Sequence, residues 1–302
     1  AREFEKKGVE FEDVIKMGRT HLQDAVPITL GEEMTSYGSV VRRCIWRITR
    51  SLGALQNINM GGTAVGTGLN AEVEYIKKFP PILSDLVGFQ FESAPNLIDT
   101  TNSTDCFAEV SSALKVSALS LIKIANDMRL MASGPRCGFN EIKLPPRQPG
   151  SSIMPGKVNP VIAEVLDQTC YHVIGNDLAV TMAVENGQLE LNVMEPVLAF
   201  NLFNSFRYLT NAINTFTNLL LKDLKANKEQ CQKWVDNSVG IITALLPHLG
   251  YEKCSAIAKE AYNQGTPVKE IIMREKLMAR ERMEEILSPF EMTHPGIAYG
   301  KK

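Results

Sequence analysis

Residues 105–133 carry an apolar stripe that repeats every seven positions. Phe107, Leu114, Leu121 and Met128 form one seam, and Val110, Ser117, Ile124 and Met131 form a second, offset by three. Both seams lie along one side of a long helix in this pattern. Asp105 supplies an N-cap or first-turn acid, and Gly134-Pro135 ends the run. A helix of this length buries such a stripe against another long helix, which points to a helix bundle.

Three further stretches fit that demand. Residues 31–57 place Met34, Tyr37, Val41, Ile45, Ile48, Leu52 and Leu55 in register. Residues 161–184 are entered through Pro160, and residues 191–222 put Val197, Leu198, Asn201, Leu202, Ser205, Leu209, Ala212, Phe216 and Leu219 on one face. Residues 71–87 add a helix expected to break or kink at Pro80-Pro81. Alternating strand patterns are nearly absent. Beyond about residue 226 the helical stretches shorten (228–235, 252–263, 267–275 and 279–287), separated by Gly250, Gly265 and Pro289. At 302 residues the chain exceeds what one compact core usually spans. The expected fold is all-α, with a central long-helix domain over 1–226 and a small helical domain over 227–302.

Charge and cysteine usage exclude several functions. Thirty-two basic and 34 acidic residues give a net charge of −2 with no basic tract, so nucleic acid is not the natural partner. No apolar run approaches the length of a membrane span. The six cysteines, at 44, 106, 137, 170, 231 and 254, form no CxxC pair. Together with four scattered histidines they give no zinc spacing, so no metal or cofactor is expected. Reduced thiols in the cytoplasm fit this pattern better than a disulfide framework. The Asn102-Ser103-Thr104 sequon reads as coincidence, because no signal peptide accompanies it.

Three stretches bear chemistry-capable residues. Gly66-x-Gly68-x-x-Ala71 formally matches a dinucleotide fingerprint, but the preceding segment reads as helix, so a Gly-rich break between helices is the better account. Thr20 and His21 sit together in GRTHLQDAVP, and histidine suits a proton shuttle or a carboxylate contact near neutral pH. His172, His248 and His294 read as structural or surface groups. The third stretch, GSSIMPGKVNP at 150–160, follows PPRQP and is too rich in Gly and Pro for a helix. It is either a linker or an anion site, since loop amides with a lysine can cradle an anion and acidify a hydroxyl among them.

Gly150-Ser151-Ser152-x-Met154-Pro155-x-Lys157-x-Asn159-Pro160 resembles the signature loop of the aspartase/fumarase superfamily. GRTHLQDAVPITLGEE, GGTAVGTGLN, KIANDMRLMASGPR and GQLELNVMEP resemble other stretches of that family, in the same order, so the resemblance covers essentially the whole chain. Gly156 and Val158 make the loop similar to the aspartase and fumarase branches. ELNVMEP and PFEMTHPGIA look like the aspartase branch.

The resemblance implies a long-helix bundle and reversible deamination of L-aspartate to fumarate and ammonia through an aci-carboxylate intermediate. Ser151 would be the base that takes the Cβ proton. Lys157 and Asn159 would bind carboxylate oxygens, and Ser152 would add hydrogen bonds. Thr20 and His21 would line the pocket, with Glu164 orienting His21. It also implies a homotetramer with active sites shared between subunits. Family members carry an N-terminal domain before the GRTH stretch. This chain opens AREFEKKGVEFEDVIKMGRTH, without an initiator methionine, and is expected to be a fragment with an incomplete site and little turnover alone. A class II fumarase and a non-catalytic helical scaffold are the competing readings.

Overall fold

The computed structural model describes residues 1–148, 150, 153–154 and 156–300. The fold is all-α and built on long helices. Seven helices lead: α1 (Arg2–Glu10), α2 (Leu30–Ser51), α3 (Val73–Val87), α4 (Leu97–Asn102), α5 (Asp105–Met131), α6 (Val161–Glu185) and α7 (Glu195–Phe216). Six more follow among the described residues: α8 (Lys228–Asn237), α9 (Ile242–Leu249), α10 (Tyr251–Gln264), α11 (Val268–Arg274), α12 (Arg280–Ile286) and α13 (Pro289–Thr293). On α5 both heptad seams are buried from Val110 to Met131, Ser117 included. On α7 Leu198, Leu202, Ser205, Leu209, Ala212 and Phe216 are buried as the pattern demands, Asn201 is half-buried, and Val197 and, beyond the helix, Leu219 are exposed. Among the described residues, no helix is long and apolar enough to cross a membrane.

The chain forms two compact units, each drawn from separated stretches of sequence. The first comprises residues 1–38, 128–145 and 221–302. Its distinctive element is absent from the helical reading: β1 (Ile15–Thr20) and β2 (Gln23–Thr29) pair as an antiparallel hairpin. The strand escaped the pattern because Ile15, Lys16 and Met17 are all buried in a row. An inward lysine and two inward apolar residues erase the period-2 alternation by which a half-buried strand is recognised. Ile15 and Met17 join Val235, Ile241, Leu245, Ile271 and Ile286 in one core, which fastens the hairpin to the C-terminal helices.

The same unit starts α2 with a reciprocal cap. Glu32 accepts from the Thr29 backbone N–H at 2.9 Å, and the Thr29 hydroxyl accepts from the Glu32 N–H at 3.0 Å. This is a capping box, and it satisfies two otherwise orphaned donors. A second small sheet, β5 (Ile142–Lys143) with β6 (Lys225–Ala226), is antiparallel.

The second unit comprises residues 39–127 and 146–220. Here α6 and α7 pack along their lengths, and Asn176 of α6 donates to the Ser205 hydroxyl of α7 at 3.0 Å. Their connection is pinned by Asn192, which is buried. Its amide donates to Thr104 Oγ1 and to the Ala183 carbonyl, both at 3.0 Å, and its oxygen accepts from the Met194 N–H at 2.9 Å. β3 (Asn57–Ile58) pairs in parallel with β4 (Glu92–Ser93) on either side of α3, which runs on through Pro80 and Pro81. The residues before the Gly-rich segment are thus a short strand rather than helix. Two-residue strands do not make the sheet that a dinucleotide fingerprint requires.

Candidate active site

Thr20 and His21 stand at the tip of the β1–β2 hairpin, both exposed. His21 and Leu22 have φ of 54° and 59°, so both turn residues are left-handed, the geometry of a type I′ hairpin. Asn-Gly is the usual sequence for such a turn; here the left-handed positions fall to a histidine and a leucine. The strand register slips between Met17 and Arg19, and Gly18 sits at the bulge. A Cβ on Gly18 would lie 2.6 Å from the Val26 carbonyl oxygen, so only glycine fits there.

Beneath the tip lies a buried ion cluster. Glu141, fully buried, faces Arg19 at 2.6 Å and Lys16 at 3.1 Å, and Lys16 also reaches Glu33 at 2.8 Å. Burial favours a neutral Lys16, but the carboxylates of Glu33 and Glu141 outweigh it and raise its pKa. The Arg19 guanidinium also stacks 4.1 Å over the Phe139 ring. Cys231 packs against this cluster, and its thiol is pushed up to about 12 by burial, with the Glu141 charge adding to the effect.

The second unit carries the other candidates. Lys157 is exposed, and its N–H donates to the Met154 carbonyl at 3.3 Å in a turn that Gly156 makes with φ of 82°. Asn159, half-buried, precedes Pro160, the N-cap of α6. Glu164 lies in the first turn of α6, its N–H donating to the Pro160 carbonyl at 3.1 Å. Lys157 and Asn159 therefore both precede a helix N-terminus, whose free N–H groups and dipole favour an anion. Ser151 and Ser152 lie outside the described residues.

The remaining histidines have structural partners. His172 packs on the Tyr208 ring at 5.3 Å, His248 Nε2 bonds the Ala298 carbonyl at 2.7 Å, and His294 stacks on Phe290 at 4.0 Å. The Gly-rich segment borders an open cleft of about 660 Å³ lined by Asn59, Thr63, Asn70, Glu72 and Tyr75 among others. Among the described residues, no group of three or more His, Cys, Asp or Glu side chains is arranged to hold a metal ion. Sequence reasoning passed over Lys16, Arg19 and Glu141, because nothing in NEIKLP marks its glutamate as buried.

Residues 1–175 match the family model described as a lyase, and residues 241–294 match the model of the fumarase C C-terminus. The chain belongs to the aspartase/fumarase superfamily. Curated relatives in this superfamily include the aspartate ammonia-lyase of a Bacillus species, 56% identical over all of this chain. That of Bacillus subtilis is 53% identical over 98% of it. The chain spans 64% and 62% of those two relatives. Among solved structures of the superfamily, a fumarate lyase:delta crystallin from Brucella melitensis superposes with a TM-score of 0.93 at 43% identity, over 97% of this chain and 64% of that one. The class II fumarase of Schistosoma mansoni gives 0.91 at 35% identity, over 96% and 64%.

Proposed function

We propose that the chain is part of an aspartate ammonia-lyase, which converts L-aspartate reversibly into fumarate and ammonia. The observation that carries this is the 56% identity, over all of this chain, to an enzyme of that name, with Lys157 and Asn159 lying just ahead of α6.

The chemistry follows from where charge develops. Removing a proton from Cβ of aspartate pushes an electron pair into the adjacent carboxylate, giving a doubly charged aci-carboxylate. That pair then returns to form the double bond as the Cα–N bond breaks and ammonia leaves. The barrier is chiefly the cost of the extra charge, so fixed donors at the carboxylate contribute most. In this proposal Lys157 and Asn159 are those donors and Ser151 is the base, with Ser152 hydrogen-bonding beside it. Thr20 and His21 bind the substrate, and Glu164 orients His21.

The proposal extends to a cytoplasmic homotetramer with shared sites. Supporting that, α6 and α7 present apolar side chains outward: Leu178 is 62% exposed, Phe200 67% and Phe203 73%. Such a stripe is covered in a stable oligomer. The separate family matches, to residues 1–175 and 241–294, favour the proposed division near residue 226, whereas the compact units join residues 221–302 to 1–38 and 128–145.

The structural likeness to a class II fumarase favours malate dehydration as the second reading. Fumarate absorbance decides between them, with aspartate in one cuvette and malate in the other. Formation from aspartate alone is expected from the whole protein that carries this chain. Formation from malate alone overturns the assignment. Ser151→Ala should abolish turnover with the fold intact, and near-normal activity in that variant removes Ser151 from the role of base.

A further inference from the structure

We infer that Glu141 is a positioning residue: through Arg19, its buried carboxylate sets where Thr20 and His21 stand. The inference rests on the reading of Thr20 and His21 as substrate contacts.

Arg19 immediately precedes Thr20, and the two-residue turn follows directly. Both turn residues, His21 and Leu22, are left-handed without being glycine. Non-glycine residues persist in that conformation where the surroundings impose it. The tip itself is exposed, so the constraint must come from the strand residues below it. Arg19 is the residue placed to supply it. One guanidinium nitrogen donates both to Glu141 at 2.6 Å and to the Met17 carbonyl at 3.2 Å, and Nε lies 3.7 Å from Asp24, its cross-strand partner. Asp24 accepts in turn from the Ser238 hydroxyl at 2.8 Å. Glu141 holds the far end of this chain of contacts. Its own backbone is fixed by its N–H donating to the Met131 carbonyl at 2.8 Å and its carbonyl accepting from the Asn227 N–H at 2.8 Å.

A purely structural ion pair behaves differently from a positioning one. Replacing a buried pair with apolar residues of similar volume commonly restores stability. It does not restore a directed hydrogen bond at the base of a turn. Three forms of the whole protein that carries this chain separate the cases: wild type, Glu141→Gln, and the double variant Arg19→Met with Glu141→Leu. Each is read by thermal melting, by the ring resonances of His21 in isotope-labelled protein, and by KM and kcat for aspartate.

In Glu141→Gln the His21 resonances should move while those of His248 and His294 stay. KM should rise by about 10-fold to 100-fold, the range expected of a displaced contact, with kcat changing less. In the double variant, where buried Lys16 keeps only Glu33, the melting temperature should recover in part, while His21 and KM remain displaced. If Glu141→Gln fails to fold, the double variant against wild type carries the test alone. Unmoved His21 resonances, an unchanged KM in an active enzyme, or recovery of KM together with stability in the double variant overturns the inference. A wild type inert toward aspartate, with His21 still displaced by the substitutions, sinks the proposed activity and leaves the positioning standing.

Discussion

Lys115 on α5 donates to Asp177 on α6 at 2.6 Å, and Ser111, one turn earlier on α5, donates to the other oxygen at 2.8 Å. The carboxylate is buried, whereas the Lys115 side chain is 36% exposed. Loss of one partner should therefore be unequal. Lys115→Met strands a buried charge and should cost about 3 kcal/mol, the low end for breaking a buried pair. Asp177→Leu leaves a cation that can turn to water and the buried Ser111 hydroxyl without its acceptor, and should cost about 1 kcal/mol. Urea unfolding of the two variants checks the order, and equal losses would show that the carboxylate is better hydrated than its burial implies.

Lys16 gives a pH dependence with a definite sign. Its pKa is raised in the folded state, so the native chain holds this proton more tightly than the unfolded chain does. The associated stability is complete below the ordinary lysine value of about 10.4 and is lost as pH rises through the folded value. Lys16→Met should be destabilised by about 3 kcal/mol at pH 7, since it leaves Glu33 and Glu141 short of a partner. The gap from wild type should be flat across neutral pH and narrow only above about pH 10.4. Unfolding free energies at a series of pH values test this, and a gap that narrows near pH 7 would contradict it.

The same lysine shows what a sequence does and does not disclose. Long helices are legible because one face must be apolar over many turns, which locates the seams of α5 from Val110 onward and most of the inner face of α7, with Val197, Asn201 and Leu219 as exceptions. The hairpin was not legible, because a buried lysine looks polar until its partners are known, and Glu33 and Glu141 lie 17 and 125 positions away in the chain. The same holds for the site. Lys157, Asn159, Thr20 and His21 were singled out by residue type and motif, which record chemistry. Arg19 and Glu141 act through burial and distance, which motifs do not encode. Asn192 is a middle case: GQLELNVMEP resembles a family stretch, and the structure supplies a packing reason for its asparagine.

Two glycines of the Gly-rich segment make a paired prediction. Gly66 and Gly68 are both left-handed, with φ of 83° and 69°. A Cβ on Gly66 would run into the backbone of Leu97 and Ile98, 2.6 Å from the Leu97 carbonyl carbon. A Cβ on Gly68 would meet ordinary neighbours at 3.4 Å. Gly68→Ala should therefore cost only the conformational penalty, about 1 kcal/mol. Gly66→Ala must also displace the start of α4 and should cost more than about 3 kcal/mol. Thermal melts of the two variants settle the ranking, and a milder Gly66→Ala would mean that the loop re-forms around the new side chain.

Thiol reactivity tests the burial pattern with wild-type protein. All six cysteines are free, with Cys137 exposed and Cys44, Cys170, Cys231 and Cys254 buried. Cys170 and Cys231 are both pushed up to about 12, chiefly by burial and then by Asp167 and Glu141 respectively. At pH 8 about one molecule in ten thousand would then carry either thiolate, the species that attacks an alkylating reagent. Iodoacetamide should label Cys137 first, while Cys170 and Cys231 should remain unmodified until denaturant is added. Peptide mass spectrometry over a time course reads this directly. Alkylation of Cys231 at a rate close to that of Cys137 would show that water reaches the cluster around Glu141, and the carboxylate would then be too well hydrated to hold Arg19 as described.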